Sequence, residues 1–212
     1  MTRLIDLGLE KLTSMIVDMS HLAEKSVLDS LKVYQQKGQI ASEDIFQISE
    51  QLRFFREEVS GLAIEILARY QPLASDLRFI KSCIDIAYDL ARFGRYAYDI
   101  SLTPEWFGDL SHCNFDISLK MAQKAVTMIE KSMNAFINKD AELAKTLPTD
   151  DDIIDHEWKS VIINMLKNGK IKRECALAIT LLVRHIERIA DHACYIADAV
   201  VYIVEGVRLG LH

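Results

Sequence analysis

Two related stretches decide the fold of this sequence: LARFGRYA at residues 90–97 and IERIADHA at residues 186–193. An offset of 96 residues places apolar positions over apolar positions, and Arg92, Ala97 and Ile100 are identical to their partners. Both stretches belong to long runs in which apolar residues recur three and four apart, as on one face of a helix. The offset therefore predicts a helical unit that occurs twice.

The composition favours helices along the whole chain. Half of the 212 residues are hydrophobic, and there are only 8 Gly and 3 Pro, which predicts an ordered all-α protein with a sizeable core. A net charge of −6 argues against a nucleic-acid partner. Every apolar run is far shorter than the ~20 residues that span a bilayer. We therefore expect a cytoplasmic protein without direct membrane insertion, whose link to a membrane goes through a partner.

Periodicity and helix-breaking residues divide the chain into six long helices and one short turn of helix. Stops are predicted at Lys37-Gly38, Pro72, Pro148, Asn168-Gly169 and Gly206, and N-caps at Ser42 and Thr149. The predicted helices are 1–36, 43–69, 74–102, 109–138, 140–146, 149–166 and 171–205. They form two tandem antiparallel three-helix bundles: a first repeat at 1–103, a linker at 104–108 and a second repeat at 109–212.

The four cysteines show neither metal-binding spacing nor a disulfide framework. Cys83, Cys113, Cys175 and Cys194 instead fall within helical patterns. We expect all four to be reduced structural thiols.

Glu187 and Asp191 lie one helical turn apart, nearly opposite the apolar stripe of the last helix. The simpler interpretation is a solvated face on which Arg184 and Arg188 screen the two carboxylates. The alternative is a metal site, which needs further oxygen ligands from another helix. Spacing alone leaves both open.

Two segments resemble the PhoU family of phosphate-signalling proteins. Residues 69–80 contain Gln71-Pro72 and then Asp76-Leu77-Arg78, which is similar to a Gln-Pro and Asp-Leu-Arg stretch of that family. Residues 185–206 resemble its second repeat, which reads Leu-Glu-Arg-Ile-Gly-Asp-His-Ala and closes in Val-Glu-Gly. The resemblance covers essentially the whole chain and implies two tandem three-helix bundles.

The resemblance implies a regulator rather than an enzyme. PhoU-like proteins dampen the phosphate-starvation response by acting on the phosphate ABC transporter and, in bacteria, on its sensor histidine kinase. We therefore expect these partners for this chain, which we expect to be a homodimer.

The resemblance also implies a metal site, because several PhoU-like proteins carry iron or zinc clusters. A Glu/Asp-x-x-x-Asp motif of each repeat holds the cluster together with acids from the preceding helix. The second repeat keeps this motif as Glu187 and Asp191, and we expect a multinuclear iron or zinc site there only. The expected ligands are Glu187, Asp191, Asp151, Asp152 and Asp155. Arg188 and His192 are expected to contact these ligands rather than the metal.

The first repeat departs from the family pattern. Ala91 and Arg95 occupy the two motif positions, and Arg53 aligns with Asp155. Two cations and a methyl group cannot ligate a metal, so this site is expected to be lost. The arginines should instead pair with acids such as Glu50 and Asp99.

Three further residues of the first repeat belong to the family motifs: Asp76, Arg78 and Asp89. Asp76 and Arg78 stand at the start of the third helix, where we expect them to cap it and to bridge to a neighbouring helix. Asp89 follows Asp85 by one turn, with Arg92 within reach. We expect a local ion pair or a buried hydrogen bond to Arg78 here, in preference to the alternative that the two acids bind a metal.

Two other functions fit a chain of this composition. One is a structural or adaptor bundle that binds no metal. The other is a di-iron carboxylate enzyme, which requires Glu-x-x-His on two helices. Ala190 stands where Glu187 would need a histidine, so the enzyme is the weaker alternative.

Overall fold

The computed structural model describes residues 3–34, 41–167 and 171–210, and all of its regular elements there are helices. The predicted stops at Lys37-Gly38 and Asn168-Gly169 lie outside these residues. The helices are α1 (Leu4–Tyr34), α2 (Ser42–Tyr70), α3 (Ala74–Phe107), α4 (Asp116–Asn138), the short α5 (Ala141–Ala144), α6 (Leu147–Lys167) and α7 (Arg173–Glu205).

The helices form two three-helix bundles in chain order. Helices α1, α2 and α3 pack together, and α4, α6 and α7 do the same with α5 alongside. The two bundles meet where α3 packs on α7 and α1 packs on α4, and a single buried core runs through both. The predicted fold class of two tandem antiparallel bundles is confirmed.

Helices α3 and α7 cross so that equivalent residues of the two repeats touch. At the offset of 96, Tyr96 corresponds to His192, and the Tyr96 hydroxyl lies 3.3 Å from Nε2 of His192. Asp89 corresponds to His185 at the same offset. Asp89 contacts His192 at 2.8 Å, while the rings of His185 and Tyr96 are 6.0 Å apart. Such reciprocal contacts place an approximate twofold axis between Tyr96 and His192.

The predicted linker at 104–108 is wrong, because α3 continues through Pro104 to Phe107. Proline has no N–H to donate to the carbonyl of Ile100 one turn earlier. The hydroxyl of Tyr34 donates to that carbonyl instead, at 3.1 Å. The first repeat thus extends to residue 107, and the connection runs from residue 108 to 115 rather than ending at 108.

Both predicted N-caps are also wrong. Helix α2 begins at Ser42 with Ala41 in the cap position, and the Ser42 hydroxyl bonds to the Glu105 carboxylate. Helix α6 begins at Leu147, so Thr149 lies inside it and Pro148 occupies the first turn, where a missing N–H costs nothing.

The expectation of four reduced cysteines is wrong for one pair. Cys113 and Cys175 form a disulfide with a Cα–Cα distance of 5.4 Å, whereas Cys83 and Cys194 are buried and unbonded. The two bonded residues are 62 apart in sequence. Only the fold brings them together, because the 108–115 connection lies against the first turn of α7.

The close packing of α3 on α2 depends on Gly94. A Cβ there would lie 2.5 Å from Cδ1 of Leu52 and 3.3 Å from Cα of Ser49, whereas one on Gly61 would meet nothing within 4 Å. We expect Gly94→Ala to lower the free energy of unfolding by about 1–3 kcal/mol. The control Gly61→Ala should raise it by about 0.5–1 kcal/mol, because alanine favours the helix. Urea denaturation measures both, and equal effects would contradict this packing.

Candidate metal centre

A cleft between α6 and α7 collects the acids of the second repeat. Carboxylate oxygens of Asp155, Glu187 and Asp191 lie within 4.8 Å of one another. Asp151 and Asp152 line the same cleft, whose volume is about 450 Å³. The structure therefore brings together all five carboxylates that the sequence proposed, with three of them at the centre.

The expectation of a solvated face on α7 is wrong for Glu187, which is only 7% exposed. The prediction assumed that only one apolar stripe of this helix is buried. Helix α7, however, packs against α3, α4, α5 and α6, so that α6 covers the face carrying the acids. The predicted screening is present inside this cleft: Arg184 pairs with Glu187 at 2.6 Å and Arg188 pairs with Asp191 at 3.0 Å.

Burial and crowding disfavour the charged forms of these acids. Burial is the main cause that raises the pKa of Glu187 and Asp191, with Arg184 and Arg188 opposing it. For Asp151, burial together with the charges of Asp191 and Asp155 raises the pKa to about 7. The cleft therefore crowds carboxyl groups together, so that ionising all of them without a further cation is unfavourable.

Two buried carboxylate oxygens of the cleft accept no hydrogen bond: Oδ1 of Asp151, and Oε2 of Glu187, which lies 3.5 Å from Nε of Arg188. Buried polar atoms in folded proteins are normally satisfied. Buried oxygens that accept no hydrogen bond, among several neighbouring carboxyl groups, fit a multivalent cation, since carboxylates are ligands for hard and borderline metal ions. The donor set thus fits the metal that the family resemblance implies.

Sequence reasoning missed three residues that line the cleft: Pro148, Cys194 and Tyr195. Tyr195 follows Asp191 by four residues, so helical spacing on the acidic face could have identified it. Arg188, which was expected to support the ligands, also lines the cleft and holds Asp191.

The supporting role expected of His192 is wrong. Its ring points away from the acids toward α3, where it is 8% exposed. Nδ1 of His192 lies 2.8 Å from Oδ1 of Asp89, and Nε2 lies 3.3 Å from the Tyr96 hydroxyl, which accepts from Arg92 at 2.7 Å. With both ring nitrogens engaged, His192 joins the two bundles instead of facing the cleft.

The first repeat shows the ion pairs that the sequence predicted at its altered motif. Arg53 pairs with Glu50 and Arg95 pairs with Asp99, each at 2.8 Å. Ala91, in the other motif position, is half-buried. At two positions where an intact motif would have a carboxylate ligand, this repeat therefore has an arginine that pairs with a neighbouring acid.

Comparison with known proteins gives the family. A family model described as the PhoU domain matches the chain twice, at residues 16–103 and 119–200. The chain belongs to the PhoU family. Because each match falls on one three-helix bundle, the predicted duplication is confirmed.

Relatives within the PhoU family match over nearly their whole length. A phosphate-specific transport system accessory protein PhoU homolog of Clostridium acetobutylicum is 25% identical over 218 residues, with 100% of both chains covered. A homolog with the same name from Pseudomonas aeruginosa is 29% identical, covering 93% of this chain and 84% of its own.

Crystal structures of PhoU proteins share the fold. PhoU from Pseudomonas aeruginosa superimposes with a TM-score of 0.86 at 28% identity, covering 95% of this chain and 99% of its own. The phosphate transport system regulatory protein PhoU from Streptococcus pneumoniae gives a TM-score of 0.90 at 20% identity, covering 98% and 100%. No helix in the described part of this chain is long and apolar enough to cross a membrane.

The PhoU motif residues at the start of α3 make contacts with other segments. Asp76 bridges to Arg3 at 2.7 Å, as expected, but no side chain caps the helix, and Leu73 is its N-cap residue. Arg78 bonds neither Asp85 nor Asp89; its guanidinium lies against Gly206, which has a positive φ of 77°. The Asp-Leu-Arg and Val-Glu-Gly motifs of the two repeats therefore meet.

The buried hydrogen bond between Asp89 and His192 should contribute strongly to stability. We expect Asp89→Ala to lower the free energy of unfolding by about 2–3 kcal/mol, because it leaves a buried imidazole unpaired. The control is Asp85→Ala, one turn earlier, where the carboxylate is partly exposed and pairs with Lys81 and Arg208. That change should cost less than about 1 kcal/mol. Equal losses in denaturant unfolding would contradict a special role for Asp89.

Proposed function

We propose that this chain regulates phosphate uptake and phosphate-starvation signalling from the cytoplasm. The observation that carries the proposal is the double match to the PhoU domain over both bundles. The names of its relatives, accessory proteins of the phosphate-specific transport system, support it. The chain acts by binding the phosphate ABC transporter and a sensor histidine kinase, as a homodimer and without catalysis.

We further propose that the second repeat holds an iron or zinc cluster. Its ligands are carboxylates from two helices, and the buried oxygens of Asp151 and Glu187 that accept no hydrogen bond support this assignment. A bound cluster supplies positive charge that neutralises the cleft. Asp151, Asp152 and Asp155 hold it from α6, while Glu187 and Asp191 hold it from α7, so the ligands tie the two helices together.

Metal analysis tests the site in the second repeat. The double variant Glu187→Gln/Asp191→Asn should reduce the iron or zinc per chain to background, because it removes two ligands at the centre of the cleft. The control Glu65→Gln removes an acid that pairs with Arg69 on the surface of α2, and its metal content should be unchanged. Elemental analysis is done on non-reduced protein, which keeps Cys113 and Cys175 bonded.

Two outcomes of that analysis would contradict the proposed site. Metal that survives the double variant would mean that other residues ligate it, in the first repeat or elsewhere. Wild-type protein without metal would favour the metal-free adaptor, the second candidate function, for which Arg184 and Arg188 alone would balance the acids.

Genetic deletion tests the regulatory function. Loss of the gene should raise phosphate uptake and the expression of phosphate-responsive genes at high phosphate, because the protein no longer dampens the response. Complementation with the wild-type gene, or with the control Glu65→Gln, should restore both. Unchanged uptake and expression at high and low phosphate would refute the function. Co-purification from detergent-solubilised membranes is a separate experiment, which identifies the transporter component that the protein binds.

A further inference from the structure

We propose a second metal site, distinct from the acidic cleft, at the contact between the 108–115 connection and the first turn of α7. Its ligands are the thiolates of Cys113 and Cys175, the imidazole of His112 and the carboxylate of Glu174. The reduced chain binds a thiophilic divalent cation such as Zn²⁺ there. The disulfide seen in the structure is the alternative, metal-free state of the same residues.

The structure brings three of these ligands together. One nitrogen of His112 and the sulfurs of Cys113 and Cys175 lie within 4.8 Å of one another. Nε2 of His112 is 3.5 Å from Oε1 of Glu174, which places a fourth donor beside the group. Two sulfurs, one nitrogen and one oxygen make a donor set that zinc accepts in tetrahedral sites.

The backbone around Cys113 is held by local hydrogen bonds that do not depend on the disulfide. The amide of Cys113 donates to the carbonyl of Leu110 at 2.9 Å. The Asp109 carboxylate accepts from the amide of Ser111 at 2.8 Å, and the Asn114 side chain accepts from the amide of Asp116 at 2.8 Å. Cys175 is fixed independently, in the first turn of a long helix. Reduction therefore leaves both thiols in place to bind an ion.

Access to the site is open on two sides. His112 is an exposed residue and Cys113 is half-buried. A cavity of about 530 Å³ is lined by Cys113 and Cys175 together with Val161 and Met165 of α6. An ion or a small oxidant can therefore approach the sulfurs without unfolding of the bundle.

The two states exclude each other because each of them uses both thiols. When a divalent cation binds, both thiols release a proton and each thiolate donates an electron pair to the ion. When the disulfide forms, two electrons and two protons leave the thiols for an oxidant. An azodicarboxamide serves as the oxidant: its N=N group accepts the two electrons and the two protons and becomes a hydrazine. Once the sulfurs are joined, they no longer act as thiolate ligands.

Cobalt(II) is a spectroscopic probe for this site, since thiolate ligands give a charge-transfer absorption that carboxylates do not. The full chain is reduced with a phosphine, freed of metal and titrated with Co²⁺. The band should saturate at one ion per chain and disappear after oxidation with the azodicarboxamide. Cys113→Ser and Cys175→Ser should each abolish or strongly reduce it.

Matched variants separate this site from the rest of the molecule. Cys83→Ala/Cys194→Ala removes the two buried free cysteines, and Glu187→Gln/Asp191→Asn removes the acidic centre; the band should survive in both. His112→Gln keeps both thiols and should weaken Co²⁺ binding at least about tenfold. Circular dichroism confirms that each variant is folded.

The proposal would be overturned by any of three results. These are reduced wild-type protein that shows no charge-transfer band, a band that persists when both Cys113 and Cys175 are replaced, and a band that is lost with Cys83 and Cys194. None of them bears on the carboxylate cluster or on phosphate regulation, which rest on other residues.

Discussion

The structure depends on the crossing of α3 and α7, where a buried polar contact joins the two bundles. Asp89 is 5% exposed, and burial raises the pKa of its carboxyl while His192 opposes the shift. Leaving either group unpaired in the core is costly. The pair is therefore satisfied in only one register of the two helices. Tyr96 and Arg92 extend the contact, so the register is fixed over two turns.

The same two helices carry the Glu/Asp-x-x-x-Asp motif positions of the two repeats. Residues 91 and 95 on α3 correspond to Glu187 and Asp191 on α7, and each of these helices packs against the preceding long helix of its own bundle. In the first repeat, the altered positions form ordinary arginine–carboxylate pairs. In the second repeat, acids of α6 and α7 face each other across the cleft, and two of their buried oxygens accept no hydrogen bond. The same scaffold thus carries clustered acids in one repeat and arginine–carboxylate pairs in the other.

The sequence was sufficient for features that depend on local periodicity and on the repeat: the helices, the two bundles, the convergence of the acids and the arginine pairs. It was insufficient where a contact with a residue distant in sequence determines the local structure. Proline predicts the end of a helix, but the hydroxyl of Tyr34 satisfies the carbonyl that Pro104 leaves free. The orientation of His192 depends on Asp89, 103 residues away. The disulfide depends on where a connection meets α7, which no spacing of cysteines encodes.

Helix α7 carries ligands for both proposed sites of the second repeat, yet the sites suit different chemistry. Cys175 and Glu187 are 12 residues apart, which is about 18 Å along a helix, so each site binds its ion without touching the other. The proposed ligands of the acidic cleft are all carboxylate oxygens, whereas the contact with the 108–115 connection offers sulfur and nitrogen. Soft ligands select thiophilic ions and oxygen ligands select harder ones. Ligand type therefore distinguishes the two proposed sites, and only at the contact with the 108–115 connection are the proposed ligands themselves changed by thiol oxidation.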